Sequence, residues 1–395
     1  MHKGPVPVPQ RAQKKPRLWV RILMMALSIL LVLLLAGWLL FPRIINPDRL
    51  IRTFRYMGLR DQADFGRIIF EGSAENVFAG RDEGLVVGSE NGLTLFDLRG
   101  TQKAFVQEAF STPVLRTGED AVLCFCPGST NFAMVTDSGE IVLEESIGTP
   151  IVNADLSTDG YLAYITTESG YKSVTTVRNS AQKPIFRFSS RTRYLNACAV
   201  SEGGRLLAVS SLEEHDSIYR TSILFLHTDE TLADLETDTG STTHYWIDNE
   251  VVYELRFLRP DRLMAICQNE ILFLDTEGNR LASVSLADKT LADYSVSADG
   301  WLILAFEPQS GGYRLMTLNA NGEKLAETEI ANRIRSVSAC EGYAAVLTEL
   351  SVETFDRKLR AYDRSWEIQG VNRVLARADG SVLLVSAGST KLFIP

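Results

Sequence analysis

The chain has 395 residues, 45% of them hydrophobic and 23% charged, with a formal net charge of −9 at pH 7. Residues 1–60 hold 11 Lys and Arg against one Asp, which leaves 29 cations and 48 anions in residues 61–395. So acidic a body argues against a nucleic-acid partner, whose affinity comes from phosphate neutralisation, and five scattered cysteines, an odd number, argue against a disulfide framework.

In chain order, residues 1–18 form a basic segment broken by Pro5, Pro7, Pro9 and Pro16 and read as a disordered cytoplasmic tail. Ile22 to Phe41 is a run of twenty residues without charge, as a helix long enough for a bilayer's hydrocarbon core. With Trp19 and Trp38 near its ends, the expectation is a transmembrane helix over 19–41. A cleaved signal is disfavoured, because the run is long and its one small pair, Ala36-Gly37, is followed by Trp38 and Leu39. Cations flank both ends almost equally, but long domains translocate regardless of charge, so the N-terminus is expected inside and the body outside. Asn46-Pro47 then starts a short helix within 42–60, with Leu50, Ile51, Phe54 and Met57 at helical spacing and Gly58 as its stop. That helix either lies in the membrane interface or packs on the domain.

From residue 61 onward the pattern is strand after strand. A polar turn containing Gly or Asp precedes a short apolar run eight times, at Gly84, Asp120, Gly160, Gly204, Asp261, Gly300, Gly342 and Gly380, with a mean spacing near 42 residues. A period of ~40–50 residues marks a β-propeller. Apolar runs without alternation fit strands covered on both faces by neighbouring blades. A more alternating strand follows each run and ends in an Asp or Asn turn closed by Gly, as at Asp97–Gly100, Asp275–Gly278 and Asn319–Gly322. A polar fourth strand follows, Lys324–Glu329 being one. The chain stops before the last unit has its outer strand, and the spare segment Phe65–Phe70 can supply it and close the ring. The expected fold is all-β, an eight-bladed propeller over 61–395, or seven-bladed if the weak copy at 118–143 is misread. An open solenoid would have a shorter repeat, and two sandwiches would not keep one phrase at one period.

The basic head, the apolar span, the Asn46-Pro47-Asp48-Arg49 helix start and the Asp-Gly-punctuated units together resemble a family of single-pass membrane proteins of Gram-positive anaerobes, known only as a domain of unknown function. More distantly the body is similar to PQQ-like and WD-repeat propellers. The resemblance implies the fold and the anchor and supplies no catalytic residues.

Reaction chemistry is sparse. The tryptophan docking motif of quinoprotein dehydrogenases is missing, as are Trp-Asp dipeptides. Cys124 and Cys126 share a strand face but have no second ligand pair, so burial is the expected state. Ser180-Ala181-Gln182-Lys183 has the form of a penicillin-binding motif but lacks its partner motifs and is expected in a loop. The one long interval, Gly203 to Asp261, places its extra length at Thr228–Glu250. Asp234, Glu236 and Asp238 beside His244, Tyr245 and Trp246 make this the candidate partner-binding loop, suited to a cationic peptide, a sugar or a calcium ion, and otherwise a solvated insertion. No catalytic, metal or cofactor residues are expected. The function expected is a non-catalytic, membrane-tethered scaffold in the cell envelope that binds an envelope protein. The alternatives are a receptor for a small ligand or wall polymer in the central channel and, as a last resort, a quinoprotein-like enzyme.

Overall fold

The computed structural model describes residues 24–29, 32, 56–57, 65–215, 218–229 and 243–395. The chain divides into two units, Met1–Tyr56 and Met57–Pro395. In the first, residues 24–29 and 32 are helical and exposed. No helix among the described residues is long and apolar enough to cross a membrane. Of the expected span over 19–41 only residues 24–29 and 32 are described, and of the juxtamembrane helix over 42–60 only residues 56–57; the rest lie outside the described residues.

The second unit is an eight-bladed β-propeller. Among the described residues its 31 strands form eight antiparallel sheets in chain order, seven of four strands and a last one of three. Blade 1 comprises β1–β4 (Val77–Val106), blade 2 β5–β8 (Val114–Ser146), blade 3 β9–β12 (Ile151–Ser190) and blade 4 β13–β16 (Tyr194–Asp248). Blade 5 comprises β17–β20 (Val252–Ser285), blade 6 β21–β24 (Lys289–Ile330), blade 7 β25–β28 (Ile334–Ser365) and blade 8 β29–β31 (Val371–Phe393). The weak copy at 118–143 is a complete blade 2, so the count is eight.

The eight apolar runs are the second strands of the blades. All five residues of β10, Leu162–Thr166, are buried, and β22, Leu302–Pro308, is buried over its first five. Among the third strands β11 (Ser173–Arg178) is buried at every position, whereas β23 (Tyr313–Leu318) leaves Arg314 exposed. Both middle strands lie between flanking blades, so small polar side chains such as Thr175 are buried with the aliphatic ones. Outer strands do alternate, as in β24, Lys324–Ile330.

The core is divided among eight seams, one between each pair of neighbouring blades. Met264, Phe273, Leu302, Leu304 and Phe306 pack between blades 5 and 6. Ile68, Leu85, Val87, Phe96 and Leu383 pack between blades 8 and 1, which closes the ring. This arrangement lets the unit exceed the size at which one core stops growing.

Closure uses the segment singled out in the sequence. The segment adds a clasp and not the full outer strand expected of it. Ile69 makes an isolated bridge to Ser389, just before β31 (Thr390–Phe393), Phe70 N–H donates to Gly388 O at 3.1 Å, and Thr390 N–H donates to Ile68 O at 2.9 Å. The buried Thr390 hydroxyl accepts from Ile68 N–H at 3.1 Å and donates to Gly66 O at 2.8 Å. Gly66, at φ +78°, lies so close that a Cβ would stand 2.3 Å from Leu392 Cβ.

Turn chemistry recurs from blade to blade. Asp275 Oδ1 accepts from Glu277 and Asn279 N–H at 3.0 and 2.8 Å. Asp97, Asn179, Asn319 and Asp356 each take two backbone N–H groups in the same way. Ser180–Lys183 falls in one of these turns, between β11 and β12, as expected.

Candidate functional site

The first strand of each sheet stands nearest the propeller axis, with a hydrogen-bonded neighbour on one side only. Its open edge presents backbone groups that need partners. Polar side chains of the preceding blade supply several. Asp155 Oδ2 on β9 (Ile151–Leu156) accepts from Val200 N–H on β13 (Tyr194–Val200) at 3.0 Å. Asp293 and Ser295 on β21 (Lys289–Val296) accept from Val337 and Ala339 N–H at 2.7 and 2.9 Å. Ser338 on β25 (Ile334–Cys340) accepts from Ala376 N–H at 2.9 Å.

At mid-depth these strands direct a charged network across the axis. Arg116 of blade 2 has Nε 4.0 Å from Asp155 of blade 3 and Nη2 3.9 Å from Glu254 of blade 5. Tyr294 of blade 6 donates its hydroxyl to Glu254. Blades 2 and 5 are not neighbours, so the Arg116–Glu254 contact reaches across the central channel. Burial pushes the Asp155 carboxyl up to about 6, against the pull of Arg116, Arg256 and the Val200 N–H. Burial opposes the Arg116 charge too, but Glu254 and Asp155 more than restore it. Burial together with the Glu254 carboxylate raises the Tyr294 hydroxyl well above the ordinary phenol range. Arg116 thus stands between two carboxylates at ion-pair distance and braces the channel electrostatically.

Above that brace, six of the eight first strands bulge near their starts. Their registers skip Val152, Asn196, Tyr253, Ala292, Arg335 and Asn372. A bulge bends a strand and re-aims the extra side chain. Asn196 Nδ2 donates to Val252 O at 2.5 Å, and Arg335 Nη2 donates to Asn372 Oδ1 at 3.1 Å, so the bulged residues link blades at the channel mouth. This mouth opens on the face that carries the inter-blade connections, the upper face. The same face holds Tyr194, Tyr253 and Trp366, at 58%, 60% and 62% exposure the three most exposed aromatic side chains among the described residues.

Of the residues singled out in the sequence, Asp234, Glu236 and Asp238 lie outside the described residues. His244, Tyr245 and Trp246 belong to β16, Thr243–Asp248, the outer strand of blade 4 paired with β15 (Ile218–His227), and not to a loop. Part of the interval's extra length instead falls in the ten-residue strands β14 (Leu206–His215) and β15. Tyr245 turns inward and packs on the seam between blades 4 and 5. His244 and Trp246 share the other face, stacked at 5.6 Å between ring centroids, and Arg220 approaches the indole at 4.2 Å while holding Asp248 at 3.1 Å. The indole is thus already engaged by protein.

All five cysteines are free, and four are buried. Burial pushes the Cys267 and Cys340 thiols up to about 12, which leaves them unreactive at neutral pH. Among the described residues no three His, Cys, Asp or Glu side chains stand together in a metal-holding group.

The sequence reading missed the channel network. The available signal was an acid inside an apolar strand, as Asp155 stands in Ile151–Leu156 just before the Ser157–Tyr161 turn.

The model of a family of unknown function, DUF5711, matches residues 69–372. No curated protein matches the chain. Among solved structures, the C-terminal WD40 domain of Sif2 shares 13% identity at a TM-score of 0.51, over 84% of this chain and 99% of that one. The dihydro-heme d1 dehydrogenase NirN, in complex with DHE, shares 14% identity at a TM-score of 0.51, over 83% and 77%. Hydrazine synthase of Kuenenia stuttgartiensis shares 10% identity at a TM-score of 0.47, over 73% and 97%. Likeness at such identities is a likeness of fold alone.

Proposed function

Because the chain belongs to DUF5711, a family whose membership assigns no activity, we propose its role from the propeller itself: a non-catalytic scaffold that binds a protein partner on its upper face. The observation that carries this reading is the exposure on that face of Tyr194 and Tyr253, at the starts of β13 and β17, and of Trp366, just after the outer strand β28 (Ala361–Ser365). Exposed Tyr and Trp on a rigid face suit a protein interface, where such side chains dominate binding energy. The brace below the mouth supports surface docking over passage through the channel.

The apolar run Ile22–Phe41 supports the further reading that the propeller is tethered to the cell membrane, N-terminus inside, with an envelope protein as partner. A photo-crosslinking side chain at Tyr253 or Trp366 of the full chain, in native membranes, is expected to yield one discrete protein adduct. The same probe at Phe105 on an outer strand is expected to yield none. Equal adducts from all three positions, or none from the upper face, would overturn the proposal. A second reading, a receptor at the mouth for a small ligand or wall polymer, is favoured by the exposed Tyr194 and Tyr253 rings alone. It predicts a rise in melting temperature with soluble wall saccharides that is lost in Tyr253→Ala.

A further inference from the structure

On the opposite, lower face a cavity of about 200 Å³ lies where blades 5, 6 and 7 meet. Arg259 from the end of β17 (Val252–Arg259), Asp299 and Trp301 from the turn before β22, Leu325 of β24, and Arg357 with Lys358 from the turn after β27 (Val352–Asp356) all line it. Three cations therefore surround it against one carboxylate.

The cations are not equivalent. Arg357 is held in place: it donates to Asp299 Oδ2, its Nε donates to Glu341 O at 3.2 Å, and its guanidinium lies 5.7 Å from the Trp301 ring. Trp301 is fixed in turn by an Nε1–H bond to the same carbonyl. Arg259 and Lys358 are exposed, and neither side chain has a hydrogen-bond or ion-pair partner among the described residues. This happens in a body where anions outnumber cations 48 to 29, so carboxylates to pair with them are abundant elsewhere. Leu325, at 39% exposure, and the Trp301 ring add apolar wall. Two unpaired cations above an apolar wall, with a preorganised Arg beside them, match an anionic head on a compact apolar body.

We infer that this cavity binds a small organic anion, a carboxylate or phosphate monoester carrying a short apolar group. The cavity is smaller than a drug-sized site of roughly 300–1,000 Å³, which limits the ligand to metabolite size or to one headgroup. The acidic surroundings do not steer anions in from a distance, so recognition depends on contact at the cavity itself.

The test is thermal melting and calorimetric titration of the full chain in neutral detergent with phenyl phosphate, benzoate, inorganic phosphate and uncharged benzyl alcohol as probes. Phenyl phosphate or benzoate at ~10 mM is expected to raise the melting temperature, with inorganic phosphate weaker and benzyl alcohol inactive. The double variant Arg259→Gln/Lys358→Gln, whose substitutions lie on the surface, should melt normally without probe and bind about tenfold more weakly or worse. Dihexanoyl phosphatidylglycerol as monomers, set against dihexanoyl phosphatidylcholine, separates a lipid headgroup from a free anion, and a response to either anionic source supports the site. No shift with any anion, a shift reproduced by chloride at equal ionic strength, or equal binding by the double variant would overturn the inference.

Discussion

Asp155 is the residue whose environment departs furthest from water while remaining ionisable near neutrality. Its carboxyl titrates near 6 in the fold and near 3.9 in the unfolded chain, so the folded state holds the proton more tightly. Such a group stabilises fully below about pH 4 and loses that contribution as pH rises through 6. Measured against Asp155→Asn, which keeps an oxygen for the Val200 N–H, the wild-type chain should lose stability between pH 4 and 7, by about 3 kcal/mol at most. Urea unfolding of both proteins across that range reads the difference. A flat difference would mean that Arg116 and Arg256 compensate the buried charge. A milder expectation attaches to Asp275, which burial pushes up but the Asn279 side chain and the Asn279 and Glu277 N–H groups hold below its ordinary value. Asp275→Ala should cost about 1 kcal/mol in thermal melting, because two turn N–H groups lose their acceptor. Asp275→Asn should recover most of it, since Asn179 and Asn319 already perform that task in blades 3 and 6.

Between elements, stability belongs to the seams. Leu304 of β22 is wholly buried between blades 5 and 6, whereas Leu325 of β24 is on the outer edge. Leu304→Ala should destabilise by roughly 2–5 kcal/mol in denaturant unfolding, and Leu325→Ala by less than about 1 kcal/mol. Equal losses would refute the division of the core into seams. Outer strands are blunted where they would invite a neighbouring chain. The registers of β4, β8, β12, β20, β24 and β28 all slip once against their partners, and bulges protect exposed edges. β16 alone among the fourth strands runs without such a slip.

At the scale of the ring, the decisive contact is the clasp between residues 66–70 and β31. Gly66→Ala forces a Cβ into Leu392 at a left-handed backbone position, and Thr390→Val removes both hydroxyl bonds of the clasp. Thr390→Val should cost about 1–3 kcal/mol, Gly66→Ala at least as much, and hydrogen exchange should rise first in blades 8 and 1. Protection lost evenly around the ring would show that closure does not depend on this segment.

The sequence by itself determined what is local and repeated. The Asp-Gly turns, the apolar runs and the short final unit follow from residues a few positions apart, so a propeller of eight blades, or seven, was legible in them. So was the part of Phe65–Phe70 in closing the ring, though not that it would form a clasp and not a strand. The full burial of β11 was not legible, because a Thr in Ser173–Arg178 looks the same whether water or another blade covers it. The tertiary structure alone decided the channel brace and the cavity of blades 5 to 7. Arg116 and Glu254, or Arg259 and Lys358, lie far apart in the chain and carry no shared pattern. They meet only because a closed ring of eight wedges brings non-neighbouring blades to one axis and adjacent turns to one rim.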